Sequence, residues 1–343
     1  MDIHAARETK QQLLRTAATA RAAAAPTGGL VVGVRVYGGG RYGLAVRHDG
    51  SAGAEVGARA LELAGEDADV RDVGAIRALV GEPQRAHPQR LAPDAPAPAE
   101  RALPGAPTPQ APGRWAAEVL QQRERPLRPG LSVAQEAVTA GTIGAFVVLA
   151  GDERRYLLSN NHVLADADRA EPGSAVLQPG SADGGGAGDV VGELAAAVPL
   201  RPATPTVVDA ALARLDDDVE VDALYPVGAI TTTAAADDDL VVEKVGRTTG
   251  LTRGVVTAVE LDGVAVGYPG GVVTFDDQVE VAGVDGAFSA GGDSGSLVYD
   301  PVTRAAVGLL FAGSERGGPE GTGLTFCNPV DAVLEALGAR LLG

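Results

Sequence analysis

Cysteine is nearly absent from this chain. Cys327 is the only one among 343 residues, so no internal disulfide can form. Secreted proteins commonly carry such cross-links, and their lack points to a reducing compartment. Aromatic residues make up only 3% of a sequence that is 45% hydrophobic, so its cores must be built from small aliphatic side chains. The first 25 residues scatter Arg7, Lys10, Arg15 and Arg21 among alanines and polar residues, without the apolar stretch of a signal peptide. They read as an exposed or amphipathic helix. No segment approaches the length and apolarity of a membrane span. The expectation is a cytoplasmic protein with no membrane partner.

Positive charge is scarce where the chain is longest. Residues 131–343 hold 11 Lys and Arg against 31 Asp and Glu, whereas residues 1–130 hold 17 against 14, and the whole carries a net charge of −17. Phosphate backbones are bound through basic contacts, so this balance excludes nucleic acid as an expected partner. The acidic part can steer basic peptides toward itself, although solubility alone would account for it. The runs Asp216-Asp217-Asp218 and Asp237-Asp238-Asp239 read as solvated loops without cation-ligand spacing, and neither a metal nor any other cofactor is expected.

The organisation changes twice along the chain. Residues 29–37 and 42–48 alternate β-branched and polar residues around Gly38-Gly39-Gly40, which predicts a hairpin. The glycines are not followed by Lys-Ser/Thr or by a helix, so a phosphate loop is set aside. A helix over 54–64 and a strand over 68–73 complete a small α/β domain spanning 1–81. Residues 82–113 are rich in Pro and Ala and read as an extended linker. A short helix over 115–122 follows, so that the linker region runs to 130. From Val133 onward short apolar runs alternate with Gly, Asp and Pro turns, the pattern of an all-β domain over 131–343. At its end Val330, Val333, Leu334, Leu337 and Leu341 fall on one face of a helix predicted over 329–341.

Chemistry concentrates in that all-β part. The run Gly291-Gly292-Asp293-Ser294-Gly295-Ser296 places a hydroxyl on a tight turn and frees backbone N–H groups to point at one spot, as an acyl-transfer nucleophile requires. Gly-Asp-Ser-Gly also occurs in ordinary turns, so a base and an orienting acid are needed. Of the four histidines, His4, His48, His87 and His162, only His162 lies in this part, where a strand ends in Asn160-Asn161-His162. Among the many acids, Asp209 stands out because it sits in the apolar run Val207-Val208-Asp209-Ala210-Ala211-Leu212. An ionised carboxylate there must be paired or hydrogen-bonded, and an imidazole Nδ1–H is a suitable partner.

The order His162, Asp209, Ser294 and the segments around them resemble the trypsin/chymotrypsin-like serine peptidases. Gly292 to Ser296 reads Gly-Asp-Ser-Gly-Ser, Asn160 to Val163 reads Asn-Asn-His-Val, and residues 245–254 are similar to the Gly-x-Thr-Thr-Gly hairpin of bacterial members. The stretches Arg128-Pro129-Gly130, Thr139-Ala140-Gly141-Thr142-Ile143-Gly144, Gln178-Pro179-Gly180 and Asp183-Gly184-Gly185 look like a bacterial intracellular branch related to the plant narrow-leaf type of trypsin-like protein. The resemblance covers about residues 128–343. It implies a mainly β, chymotrypsin-like double β-barrel with a C-terminal helix, its barrels at about 131–226 and 227–328.

By that resemblance Ser294 is the nucleophile, His162 the general base and acid, and Asp209 the orienting carboxylate, with Gly292 and Ser294 N–H groups as the oxyanion hole. Phe288 lies near the base of the first specificity pocket or points into the core. Phe311, Ala312, Gly313, Thr322 and Gly323 form its walls, and residues 308–313 form the strand that pairs with substrate. No acid stands at the Phe288 position, so a small or medium apolar residue is expected before the cut bond. The familiar disulfides are missing, and Arg247 or Arg253 is expected to face Asp293 in place of an inserted α-amino group.

The expected function is limited processing of protein or peptide substrates by a serine endopeptidase. The alternative is a catalytically idle module that serves as a protein-binding scaffold. A heat-shock-type chaperone-protease is set aside because its Gly-Asn-Ser-Gly-Gly run is not present. The N-terminal domain is the expected contact for a second copy or another partner, and the linker is expected to be cut first, by the chain itself.

Overall fold

The computed structural model describes residues 1–21, 29–79, 113–202, 204–236 and 240–342. The linker expected over 82–113 lies outside them except for Gly113, as does the run Asp237 to Asp239.

Helix α1 (Ile3–Arg21) lies on a hairpin of β1 (Leu30–Gly38) and β2 (Arg41–His48). Its turn works because Gly38, Gly39 and Gly40 all take positive φ (92°, 64° and 75°), the region open to a residue without Cβ. Helix α2 (Ser51–Ala64) returns the chain to β3 (Ala68–Asp72), parallel to β2. Leu13, Leu30, Val32, Leu44, Val46 and Ala60 make a small aliphatic core between them. This is the α/β unit its pattern predicts. It is not walled off, however. Strand β4 (Ile76–Ala78) leaves it altogether.

After α3 (Ala117–Leu120), a first barrel is built from β5 (Ser132–Gln135), β6 (Gly141–Thr142), β7 (Ala145–Leu149), β8 (Asp152–Ser159), β9 (Ala175–Leu177), β10 (Val190–Ala197) and β11 (Ala211–Leu215), with the short helix α4 (Asn161–Leu164) behind β8. Its strands run β7-β8-β11-β10-β9-β5-β6, an open half-barrel. A small hairpin, β12 (Leu224–Tyr225) and β13 (Gly228–Ala229), and the bridging β14 (Thr232–Thr233) lead onward. The second barrel contains β15 (Val241–Gly246), β16 (Gly250–Asp262), β19 (Gln278–Gly283), β20 (Leu297–Tyr299), β21 (Ala305–Gly317) and β22 (Gly323–Pro329). It closes because β15 pairs with both β20 and β16. Between β16 and β19 the hairpin of β17 (Val264–Tyr268) and β18 (Gly271–Phe275) projects from the barrel.

Two features depart from expectation. Helix α5 covers only Val330–Leu337, because Gly338 turns left-handed (φ 59°) and ends it. The remainder forms β23 (Ala339–Leu341), which pairs with β7 and ties the C-terminal end back to the first barrel. Second, β1 pairs with β16, Val34 opposite Val259 and Arg35 opposite Ala258, so one sheet runs from the second barrel into the N-terminal unit. The division near residue 81 follows the change in composition, and the hydrogen bonding does not follow it. Fully buried Arg47 meets buried Glu280 at 2.7 Å, and Lys10 on α1 meets Asp262 at 2.8 Å.

Candidate active site

The cleft between the barrels collects polar side chains that the strands cannot hide elsewhere. Strand β8 carries apolar Leu157-Leu158 and ends at Ser159, and Asn160 then opens the single turn of α4, which carries His162. Asn160 donates to Asp209 O (2.7 Å), and Asn161 donates to Val198 O (2.8 Å) and Asp168 Oδ1 (2.6 Å), so both amides fasten this turn to neighbouring loops. His162 Nδ1 lies 2.5 Å from Asp209 Oδ2, and the His162 backbone N–H donates to Oδ1 at 3.3 Å. Asp209 is fully buried just before β11. Its cost is offset by donors: Tyr268 OH donates to Oδ2 at 2.7 Å, beside the imidazole contact. Burial and the Asp209 charge push the Tyr268 phenol well above its ordinary range, so it stays a donor. Asn328 accepts from Asp209 N at 2.9 Å and fixes the backbone. His162 Nε2 is buried and has no hydrogen-bond partner among the described residues.

The Ser294 turn is held from both barrels. Gly292 takes φ +101°, and a Cβ there would run into Thr248 Oγ1 and Arg247 Nη1. Gly295 takes φ +94°, with Ser159 Oγ and Thr142 O in the space a side chain would need. Asp293 points inward, where Oδ1 accepts from Thr248 N (2.8 Å) and Oδ2 from Thr249 Oγ1 (2.7 Å) and Ala290 N (2.9 Å). Its cation is Lys244, at 3.4 Å and fully buried. Neither expected arginine fills that place: Arg247 pairs with Asp183 and Arg253 with Glu243. Burial pulls the Lys244 ammonium below its ordinary value, and Asp293 pulls it back. From the first barrel, Thr142 N donates to Ser294 O and Thr142 Oγ1 to Gly292 O, each at 2.8 Å. Ser294 Oγ itself donates to Phe311 O at 3.2 Å.

Phe288 is 1% exposed and sits in the aliphatic core of the second barrel with Val242, Val281 and Leu310; its ring also covers Lys244 (5.9 Å). Phe311 and Ala312 are fully buried, with the Phe311 ring turned toward Phe275 (4.7 Å) and its carbonyl toward Ser294. Gly313 is opposite Thr325 in the β21–β22 register. Thr322 and Gly323 lie further along that hairpin, where Gly323 is opposite Gly317. Thr325 therefore takes the place beside Gly313 that the family resemblance gives to them, and its hydroxyl bonds Ser289 at 2.6 Å. Gly292 N donates to Leu79 O at 2.6 Å, so its donor is engaged by a residue of the N-terminal unit.

Tyr268, Asn328, Thr142, Lys244 and Leu79 escaped the sequence reading. Lys244 left a signal, a charge inside Val241-Val242-Glu243-Lys244-Val245. Thr142 lay in a motif quoted only for likeness. Tyr268 and Leu79 reach the site through long-range pairing and left none.

Two barrels, with His162 and Asp209 on the open one and Ser294 on the closed one, define a chymotrypsin-like double β-barrel. No protein-family model matches the chain, and no curated protein does. Among solved structures it is similar to protease A of Thermobifida fusca (19% identity, 63% of this chain and 99% of that one, TM-score 0.44). It is also similar to a Cellulomonas bogoriensis chymotrypsin (21%, 63% and 99%, TM-score 0.42) and to a Nocardiopsis protease (20%, 63% and 100%, TM-score 0.44). Likeness this distant carries no argument about activity, which has to rest on the geometry of the site.

Proposed function

We propose that the chain is a serine endopeptidase that cuts protein substrates through an acyl-enzyme. The observation that carries this reading is the buried His162–Asp209 pair, whose Nε2 has no partner among the described residues, together with a serine turn whose Gly292 N–H donates to the peptide carbonyl of Leu79. In this reading His162 Nε2 takes the Ser294 proton as Oγ attacks the substrate carbonyl. Asp209 keeps the imidazole in the tautomer that leaves Nε2 free and stabilises the imidazolium. Gly292 and Ser294 N–H groups hold the oxyanion, a donor of this kind being worth about 100- to 1,000-fold in rate. His162 then returns the proton to the leaving amine. The lone buried cysteine supports a reducing, cytoplasmic setting, and the quoted motifs support a bacterial branch akin to the plant narrow-leaf type. No nucleic acid or membrane partner is proposed.

One observation favours a second reading, an idle binding module: Ser294 Oγ donates to Phe311 O and not to His162. A turn about the serine χ1 is needed before attack. Labelling by a fluorophosphonate separates the two. Wild type is expected to label and Ser294→Ala not to. A folded wild type that stays unlabelled, even at high probe concentration, overturns the enzyme reading.

A further inference from the structure

The end of the N-terminal unit is laid along the strand that flanks Ser294. Arg316 N donates to Val73 O and Glu315 N to Ala75 O, both at 3.2 Å. Ile76, Arg77 and Ala78 then pair antiparallel with Ser314, Gly313 and Ala312. Leu79 N donates to Phe311 O at 3.3 Å, the same carbonyl that accepts from Ser294 Oγ. Because directly opposed residues alternate between bonded and non-bonded pairs, this bond makes Arg77 and Gly313 the next bonded pair. The Leu79 carbonyl oxygen accepts from Gly292 N at 2.6 Å. The Leu79 side chain fills the space beside Gly313, where an added Cβ would come within 3.1 Å of Cδ2, and packs against the core that contains Phe288.

Direction, register and carbonyl position are all those of a peptide held for acylation. We infer that residues 76–79 are this enzyme's own substrate, seated on the acyl side of the cleft, and that Ser294 cuts the bond after Leu79. The inference rests on the peptidase reading above. In the step, Ser294 Oγ bonds the Leu79 carbonyl carbon as its proton passes to His162 Nε2. The bond to the Val80 nitrogen breaks, and that amine takes the proton. Water then attacks the ester carbonyl carbon as one of its protons passes to His162 Nε2. The ester C–Oγ bond breaks, His162 returns that proton to Ser294 Oγ, and the new Leu79 acid loses its own proton to solvent as a carboxylate.

Cutting does not by itself clear the cleft. The new carboxylate belongs to a unit held by β1–β16 pairing, by buried Arg47–Glu280 and by Arg71 Nη1 donating to Gly317 O at 2.9 Å. The N-terminal piece stays as a tethered competitor whose effective concentration is on the order of millimolar. The site is thus regulated by its own product, and leucine is the residue class it accepts before the cut.

The test follows full-length wild type, Ser294→Ala and Leu79→Asp by intact mass and by fluorophosphonate labelling. Wild type is expected to resolve into residues 1–79 and 80–343, while Ser294→Ala stays whole. Leu79→Asp, which would put a charge in an apolar pocket, should cut at least about 100-fold more slowly. It should also label faster than wild type, which shows that it is folded with an open cleft. Cutting of Ser294→Ala at the wild-type rate, or cutting of wild type elsewhere, overturns the inference. So does a wild type that labels yet stays whole, and in that case the peptidase reading stands. If wild type and Leu79→Asp both stay whole and unlabelled, that reading fails as well.

Discussion

The two sides of the cleft each bury a carboxylate, and they neutralise it differently. On the first-barrel side Asp209 meets an imidazole, a phenol and a backbone N–H and, among the described residues, no fixed cation. On the second-barrel side Asp293 meets Lys244 together with hydroxyl and amide donors. A permanent cation beside Asp209 would weaken its attraction for an imidazolium formed during the reaction, since that attraction is strongest where the carboxylate is not already neutralised. Asp293 takes no proton in the proposed chemistry. Its task is to hold the turn from inside, and a permanent ion pair suits that. One carboxylate is arranged to respond to a change of charge, the other to prevent a change of shape.

The largest effect expected from breaking this contrast is on rate. Asp209→Asn keeps the volume and several hydrogen bonds while removing the charge, and should lower kcat for a peptide substrate by about 10,000-fold with little loss of stability. Lys244→Met should do the opposite. It strands Asp293 in the interior without its cation, and denaturant unfolding should show a loss of about 3–5 kcal/mol. The double variant Lys244→Met, Asp293→Asn should recover part of that loss, because no unpaired charge then remains buried. A Lys244→Met protein of unchanged stability would show that hydrogen bonds alone hold the turn.

A third buried pair joins the N-terminal unit to the second barrel, and acid should open it. Burial works against the Glu280 charge, but Arg47 and Thr257 outweigh it and hold the carboxyl below the ordinary glutamate range. Asp69 is likewise held low: burial opposes its charge, and Arg47 and Arg71 prevail. A carboxylate depressed in the folded state contributes stability above its unfolded value, about pH 4, and loses it as pH falls through the folded one. In Ser294→Ala, amide exchange in β1 should therefore gain on exchange in the first barrel as pH drops below about 4. Equal protection of the two regions throughout would mean that the pair does not anchor the unit.

How much of this the sequence carried depends on whether the signal was local. The hairpin at Gly38 to Gly40 is written in adjacent residues, as is the turn at Ser294. Asp209 is conspicuous because its neighbours are apolar, so its contact with His162 follows from a local anomaly. The union of β1 with β16, about 225 residues apart in the chain, has no local signature, because an edge strand reads the same whatever it pairs with. The swap of Lys244 for the expected arginines has a similar cause. Strand residues alternate faces, so one position decides whether a cation enters the core or the surface. The sequence predicts a helix longer than α5 because Leu341 continues the apolar stripe by spacing, whereas Gly338 has already turned the chain.

The smallest effect is the sharpest test of the contrast. Tyr268 comes from the β17–β18 hairpin of the second barrel to donate to a carboxylate of the first, so one hydroxyl links the two sides. Tyr268→Phe removes that donor and leaves the ring against His162, whose centroid lies 5.9 Å away. The loss is a single hydrogen bond to a charged acceptor, about 1.5–3 kcal/mol, and should lower kcat by roughly 10- to 150-fold. If the phenol only fills space, Tyr268→Phe will match wild type in both kcat and KM. If it holds Asp209 aimed at the imidazole, kcat falls while KM stays near the wild-type value, because the lost hydrogen bond orients the base and touches no substrate.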